Sequence, residues 1–345
     1  MFKQRLDRTH RKVAQAASST CWPGLRSARS FLLRLETVVL AVIAVVTFAP
    51  ETIFSATQDT IAVNGAGKAA GHSRTVDVTT ERDGSATHFY VDNRELAEVT
   101  VTFAVSVQNL KSSVAFPYTA TFPPQQRSEA FTLEPVCPGT KWEYSYTNYC
   151  KLGSHCARHD DDYVYNLPYS PGANYRVTQG FDGKFSHTGP NQYAVDWQMP
   201  EGTLVLAARG GQVIRVKDDS DRGGDKIEHD GYHNYVVVRH DDGTLGYYCH
   251  LKKGGALVKP GQKIGTGSDI ARSGNTGFSS GPHLHFCVYR PIDGQQRISL
   301  PVRFKTAASP ATTLVSGRSY RAPQSEPGSS KVSVAGVISP AGAID

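Results

Sequence analysis

Methionine is almost missing from this chain, with two in 345 residues, and tryptophan is scarce at three, whereas glycine (32), proline (19) and tyrosine (16) are plentiful. That balance favours short strands and tight turns and points to a mostly β protein. Excess charge is also missing from most of the chain. Residues 1–36 hold eight Lys/Arg against Asp7 and Glu36 and so account for the whole net charge of +6, and the other 29 basic residues are matched by 29 acidic ones. A neutral body excludes the basic surface that nucleic-acid binding needs and leaves the charge as a membrane-topology signal. The apolar stretch that follows, residues 37–49, has 13 uncharged residues, short of the roughly 20 of a full span. It fits the apolar region of an export signal, and a cleaved signal and an uncleaved inner-membrane anchor both stay open. Either way the remainder is expected outside the cytoplasm, in the periplasm. Cysteine is sparse at six; the spacing of Cys150 and Cys156 suits a disulfide across a hairpin in an exported protein.

Composition divides the rest. Residues 57–74 are small and polar, a linker. From 75 to 165, short alternating runs at 75–81, 88–91, 98–107 and 130–133, separated by Asp-Gly, Asn-Arg and Pro-Pro, read as a β-sandwich with no catalytic grouping. His155, His159, Asp160, Asp161 and Asp162 read as a solvated acidic loop, because consecutive aspartates cannot all point inward. From 175 to 305, strongly β runs joined by tight turns predict a small antiparallel β-sheet domain. Residues 306–345 read as a terminal strand and a disordered tail.

The chemistry gathers in the second domain. In residues 281–288, Gly-Pro-His-Leu-His-Phe-Cys-Val, a strand of period two sets His283 and His285 on one face, roughly 6–7 Å apart. His187, Asp196 and His250 each sit in or beside a short hydrophobic run, where a polar group needs a partner. A catalytic zinc takes three protein ligands and keeps one position open; His187, Asp196 and His285 would supply them. His250 and His283 would then remain for proton transfer and for charge on a carbonyl oxygen. Alternation places Cys249 opposite to His250, and Cys287 on the face of His285, with neither expected as a ligand. His229, His233 and His240 read as structural or surface residues. A peptide groove is expected along Tyr193, Trp197 and the loops at 218–234 and 272–280.

These residues resemble the lysostaphin-like zinc endopeptidases of bacterial cell walls, with their LytM domain. The likeness rests on His187 and Asp196 in Ser-His-Thr-Gly-Pro-Asn-Gln-Tyr-Ala-Val-Asp, on Met199 to Thr203, on Tyr248 to Leu251, on Val258 to Gln262, and on Ser273 to Gly277 leading into Gly281 to Phe286. It covers about residues 175–305. It implies Zn2+ on His187, Asp196 and His285, with His250 and His283 catalytic, and peptidoglycan peptides as substrate. The gap from His187 to Asp196 is longer than the family's usual His-x-x-x-Asp, and Cys249 and Cys287 lie close to the site. The rival reading is a non-catalytic peptidoglycan-binding or amidase-activating protein on the same fold, a fate that follows loss of ligands, and none is lost here. A third is a metal-binding adhesion or assembly factor in which the sandwich does the work.

Overall fold

The computed structural model describes residues 63–64 and 75–325; the basic flank, the apolar run at 37–49, most of the expected linker and the tail from 326 lie outside the described residues. Strand succeeds strand throughout, and the only helical elements among the described residues are two 3-10 turns, Gly189–Asn191 and Ile227–His229.

The first layer comprises β1 (Val63–Asn64), β2 (Val76–Asp83), β3 (Ala86–Asn93), β4 (Val99–Gln108), β5 (Leu110–Ser112), β6 (Tyr118–Phe122), β7 (Gln126–Pro135) and β8 (Glu143–Leu152). They form two four-stranded antiparallel sheets, ordered β1-β8-β4-β6 and β2-β3-β7-β5. The alternation in the sequence explains the pairing: Phe89 and Val91 of β3 and Val99, Val101 and Phe103 of β4 turn inward because period two sends every second side chain to one face. Phe89 stacks on Phe131 at 4.3 Å, and Phe103 meets Phe131 edge-on at 5.1 Å, which joins the two sheets as a sandwich.

The second layer runs through β9 (Val164–Asn166), β10 (Asn174–Gln179), β11 (Val195–Gln198), β12 (Leu204–Leu206), β13 (Gly211–Lys217), β14 (Gly223–Gly224), β15 (Tyr235–Arg239) and β16 (Leu245–Cys249). It continues with β17 (Leu251–Ala256), β18 (Lys263–Ile264), β19 (Asp269–Ser273), β20 (Gly277–Phe278), β21 (His283–Pro291), β22 (Arg297–Leu300), β23 (Arg303–Lys305) and β24 (Ser319–Arg321). Its main sheet has the order β18-β13-β15-β16-β21-β11-β10-β24, with β22 added to β21.

Both faces of this sheet are covered. Val236, Val238, Tyr248, Leu284, Phe286 and Val288 share a core with Trp197, Val205 and Phe304. The intervening residues Val237, Leu245, Cys287 and Tyr289 share the sandwich core with Val99, Phe103 and Phe131. Each large side chain so buried stabilises the fold by about 1.5–3 kcal/mol, and two-sided burial explains why β15 and β21 read as nearly continuous apolar runs. Charged pairs frame this junction: Arg239 bonds both oxygens of Glu98 at 2.7 and 2.5 Å, and Arg215 reaches Glu95 at 2.6 Å.

Two expectations need correction or refinement. No disulfide joins Cys150 and Cys156: Cys150 is buried on β8, while Cys156 is exposed in the loop beyond it. The acidic loop is solvated at Asp161 and Asp162, but His159 folds inward, its Nδ1 2.8 Å from Asp161 and its Nε2 3.3 Å from the Tyr165 hydroxyl.

His240 shows what a buried imidazole does to acid stability. It is fully buried, its Nδ1–H donates to Gly210 O at 2.9 Å, and its Nε2 has no hydrogen-bond partner. Gly246 is required beside it, because a Cβ there would lie 2.7 Å from Nε2. Burial pulls the His240 pKa down to about 4 from 6.5. The folded chain therefore resists a proton that the unfolded chain takes up, so this stability is present above pH 6.5 and is lost as pH falls toward 4, by roughly 3 kcal/mol in full. Urea unfolding at pH 7 and pH 4.5 checks this: His240→Leu should lose less stability between the two than the parent, and equal losses would refute it.

Candidate metal centre

The site lies on the sandwich-facing side of the main sheet. In register, Asp196 of β11 sits opposite His285 of β21, and His285 sits opposite Cys249 of β16. Asp196 points to this side while its neighbours Val195 and Trp197 enter the other core. His187 comes from the loop after β10, held by its backbone N–H to Gly183 O at 2.9 Å. One donor atom from each of His187, Asp196 and His285 lies within 4.8 Å of the others, and all three residues are buried; among the described residues this is the one such grouping.

The protonation pattern fits a cation. His187 Nδ1–H donates to Gly180 O at 2.9 Å, since a carbonyl only accepts, so Nε2 carries the lone pair. That nitrogen is buried without a hydrogen-bond partner although Asp196 Oδ2 lies 3.1 Å away. Two acceptors at that distance repel unless a positive centre lies between them. On the other side His285 Nδ1 stands 2.9 Å from Asp196 Oδ1. Burial alone would raise the Asp196 carboxyl, but the His187 and His285 rings against it hold it well below the ordinary range. It is an anion, as a ligand must be. Burial lowers His285 despite its carboxylate neighbour. Two imidazoles and a carboxylate form a donor set suited to a divalent transition metal.

The remaining two histidines flank this cluster. The His250 ring centroid is 4.4 Å from that of His283 and 5.9 Å from that of His285. Its Nδ1–H donates to Thr276 O at 2.7 Å, and His283 Nδ1–H donates to Gly281 O at 2.8 Å with Ser279 Oγ 3.0 Å away. Both therefore turn Nε2 outward as the free lone pair. Burial, reinforced by the charges of His283, His285 and His233, holds His250 well below its ordinary pKa and neutral. Simple alternation would send His250 to the face opposite Cys249. Instead β16 ends at Cys249, His250 takes a left-handed backbone (φ 59°), and both residues line one cavity. Non-glycine residues in that region are uncommon and cluster at functional sites.

That cavity, of ≈ 870 Å3, runs from His250, His283 and His285 to Lys151 and Leu152 of β8, so the sandwich supplies part of its wall. The loops at 218–234 and 272–280 contribute His233, Phe278 and Ser279. Trp197, expected in the groove, is instead wholly buried in the opposite core, because on β11 it alternates with Asp196; Tyr193 packs edge-on against Phe181 at 5.3 Å. Burial pushes Cys287 up to about 11 and Cys249 well above its ordinary value, which leaves both as neutral thiols unsuited to ligation. The sequence reading assigned two residues no place in the site: Gln179, which it did not single out, and His233, which it took as structural or surface. His233 lies at the cavity wall, 6.0 Å ring to ring from His250 and 2.9 Å from the Tyr247 hydroxyl, and Gln179 bonds Asp196. Neither stands in a motif, so only tertiary contact reveals them.

The sequence model described as Peptidase family M23 matches residues 190–298, beginning three residues after His187. Peptidoglycan DD-endopeptidase ShyA of Vibrio cholerae serotype O1 is 34% identical over 135 residues, 37% of this chain and 29% of that protein. Glycyl-glycine endopeptidase ALE-1 of Staphylococcus capitis is 37% identical over 101 residues, 28% of this chain and 24% of that protein. The chain thus spans less than a third of the length of either relative. Among solved structures, the catalytic domain of the antimicrobial peptidase lysostaphin from Staphylococcus simulans aligns at 26% identity over 41% of this chain and 95% of that chain, with a TM-score of 0.26.

Proposed function

We propose, from the match of residues 190–298 to peptidase family M23, that this chain is a zinc endopeptidase of that family that hydrolyses peptide cross-links of bacterial peptidoglycan. The printed names of the relatives, peptidoglycan DD-endopeptidase and glycyl-glycine endopeptidase, support the substrate class. The observation that carries the chemistry is the pair of facing acceptors, His187 Nε2 and Asp196 Oδ2, 3.1 Å apart beside two histidines with free Nε2 lone pairs. His187, Asp196 and His285 would hold the metal. When bound, zinc polarises the scissile carbonyl and lowers the pKa of water toward neutrality.

The rest falls to the chain's own groups. His250, kept neutral by burial and anchored at Nδ1 by Thr276 O, accepts the proton of the attacking water at Nε2. His283, anchored at Nδ1 by Gly281 O with its ring 4.4 Å from that of His250, is the second catalytic imidazole, placed to offset charge developing on the carbonyl oxygen. The basic flank and the apolar run at 37–49 support export to the periplasm, by a cleaved signal or by an inner-membrane anchor.

Metal analysis and digestion of purified peptidoglycan test the reading together. The expected result is about one zinc per chain and release of new amino groups from cross-linked peptides. Bound zinc without any new amine would favour the non-catalytic wall-binding alternative.

A further inference from the structure

The eight residues 188–195 separate His187 from Asp196, so local chain geometry alone does not set the two side chains against each other. A third residue bridges the gap. β10 carries a register shift against β11 between Val177 and Gln179, and such bulges re-aim side chains next to active sites. Here the shift brings Gln179 opposite Asp196. Its Oε1 accepts from the Ser186 backbone N–H at 3.2 Å, which fixes the orientation of the amide and makes Nε2 the donor. Nε2 then spends its two hydrogens on Asp196 Oδ2 at 2.8 Å and on Ser186 Oγ at 2.9 Å. Ser186 directly precedes His187, and the loop around it is closed by His187 N–H to Gly183 O and by His187 Nδ1–H to Gly180 O, both at 2.9 Å.

We propose that Gln179 is the positioning residue of this metal centre: one carboxamide grips the Asp196 carboxylate and the backbone next to His187, and so sets both ligands across the long insertion. The neutral amide suits the task. It donates to the anion without adding a cation that would compete with the metal, and with its three bonds made it has no freedom to rotate. Supporting residues of this kind typically hold 10–100-fold of metal affinity.

The inference rests on the metal-centre reading, and the test separates the two. Zn2+ affinity of the full chain is measured by competition with a chelator, for the parent, Gln179→Met and Ser186→Ala, beside the melting temperature of each metal-free protein. Gln179→Met should weaken Zn2+ binding by about 10–100-fold and Ser186→Ala by a smaller factor, with metal-free melting temperatures near the parent's. The visible spectrum of the Co2+-loaded Gln179→Met protein should also change in intensity, a sign of altered ligand geometry. Unchanged Zn2+ affinity and Co2+ spectrum in Gln179→Met would overturn the proposal while leaving the metal centre intact. If Gln179→Met does not fold, unchanged Zn2+ affinity in Ser186→Ala overturns it. A parent that binds no Zn2+ would instead refute the metal centre itself.

Discussion

Asp196→Asn is expected to strip the centre of its metal. The substitution keeps shape and volume but removes the only anion among the three donors, and it leaves the buried Nε2 of His187 facing a neutral amide. Zinc affinity should fall by more than the ~100-fold that marks the upper end for a supporting residue, and peptidoglycan hydrolysis should fall with it. Metal content after dialysis against a weak chelator, read beside release of amino groups, gives the answer. A variant that keeps its zinc at parental affinity would remove Asp196 from the ligand set. The carboxylate has a second role in the metal-free chain, where it raises the pKa of His187 against the opposing effect of burial.

His250→Asn should produce the contrary signature, an intact metal and a silent enzyme. Asparagine tolerates the left-handed backbone that His250 adopts, so the folding penalty expected of most other replacements at this position is avoided. What it lacks is a base to receive a proton where Nε2 stood. The loss in kcat should be about 10²–10⁴-fold, the usual contribution of a general base, with zinc content and melting temperature close to the parent's. Residual kcat within a few-fold of the parent would pass the proton-accepting role to His283 or His233, whose rings lie 4.4 and 6.0 Å away.

Much of this centre could be read from residue order because its core obeys strand alternation. His283 and His285 stand two apart on β21, and Asp196 interrupts an apolar run on β11, so each shows as a polar residue where the pattern demands burial. The same rule, applied to Trp197, would have placed it in the core, since it adjoins Asp196 and must face away from it. His250 defeats alternation because one left-handed residue between two strands reverses the direction of its side chain. Gln179 and His233 carry no local mark; a bulge in one strand and a loop folding back over the sheet bring them in. The fold class was legible in the turn residues and β-branched runs. That the nearly continuous apolar runs of β15 and β21 have a sandwich against their second face was not, because composition reports that a face is covered and not what covers it.

The covering of that second face reaches beyond the segment that matches the family. The family match begins at residue 190 and ends at 298, and it contains the reacting histidines of β21 and the end of β16. Lys151 and Leu152, which close the far wall of the same cavity, lie outside it. The cavity is therefore built from residues inside the matched segment and residues outside it. A chimera that exchanged only the matched segment would leave behind both His187, which precedes it, and the β8 residues that line the same cavity.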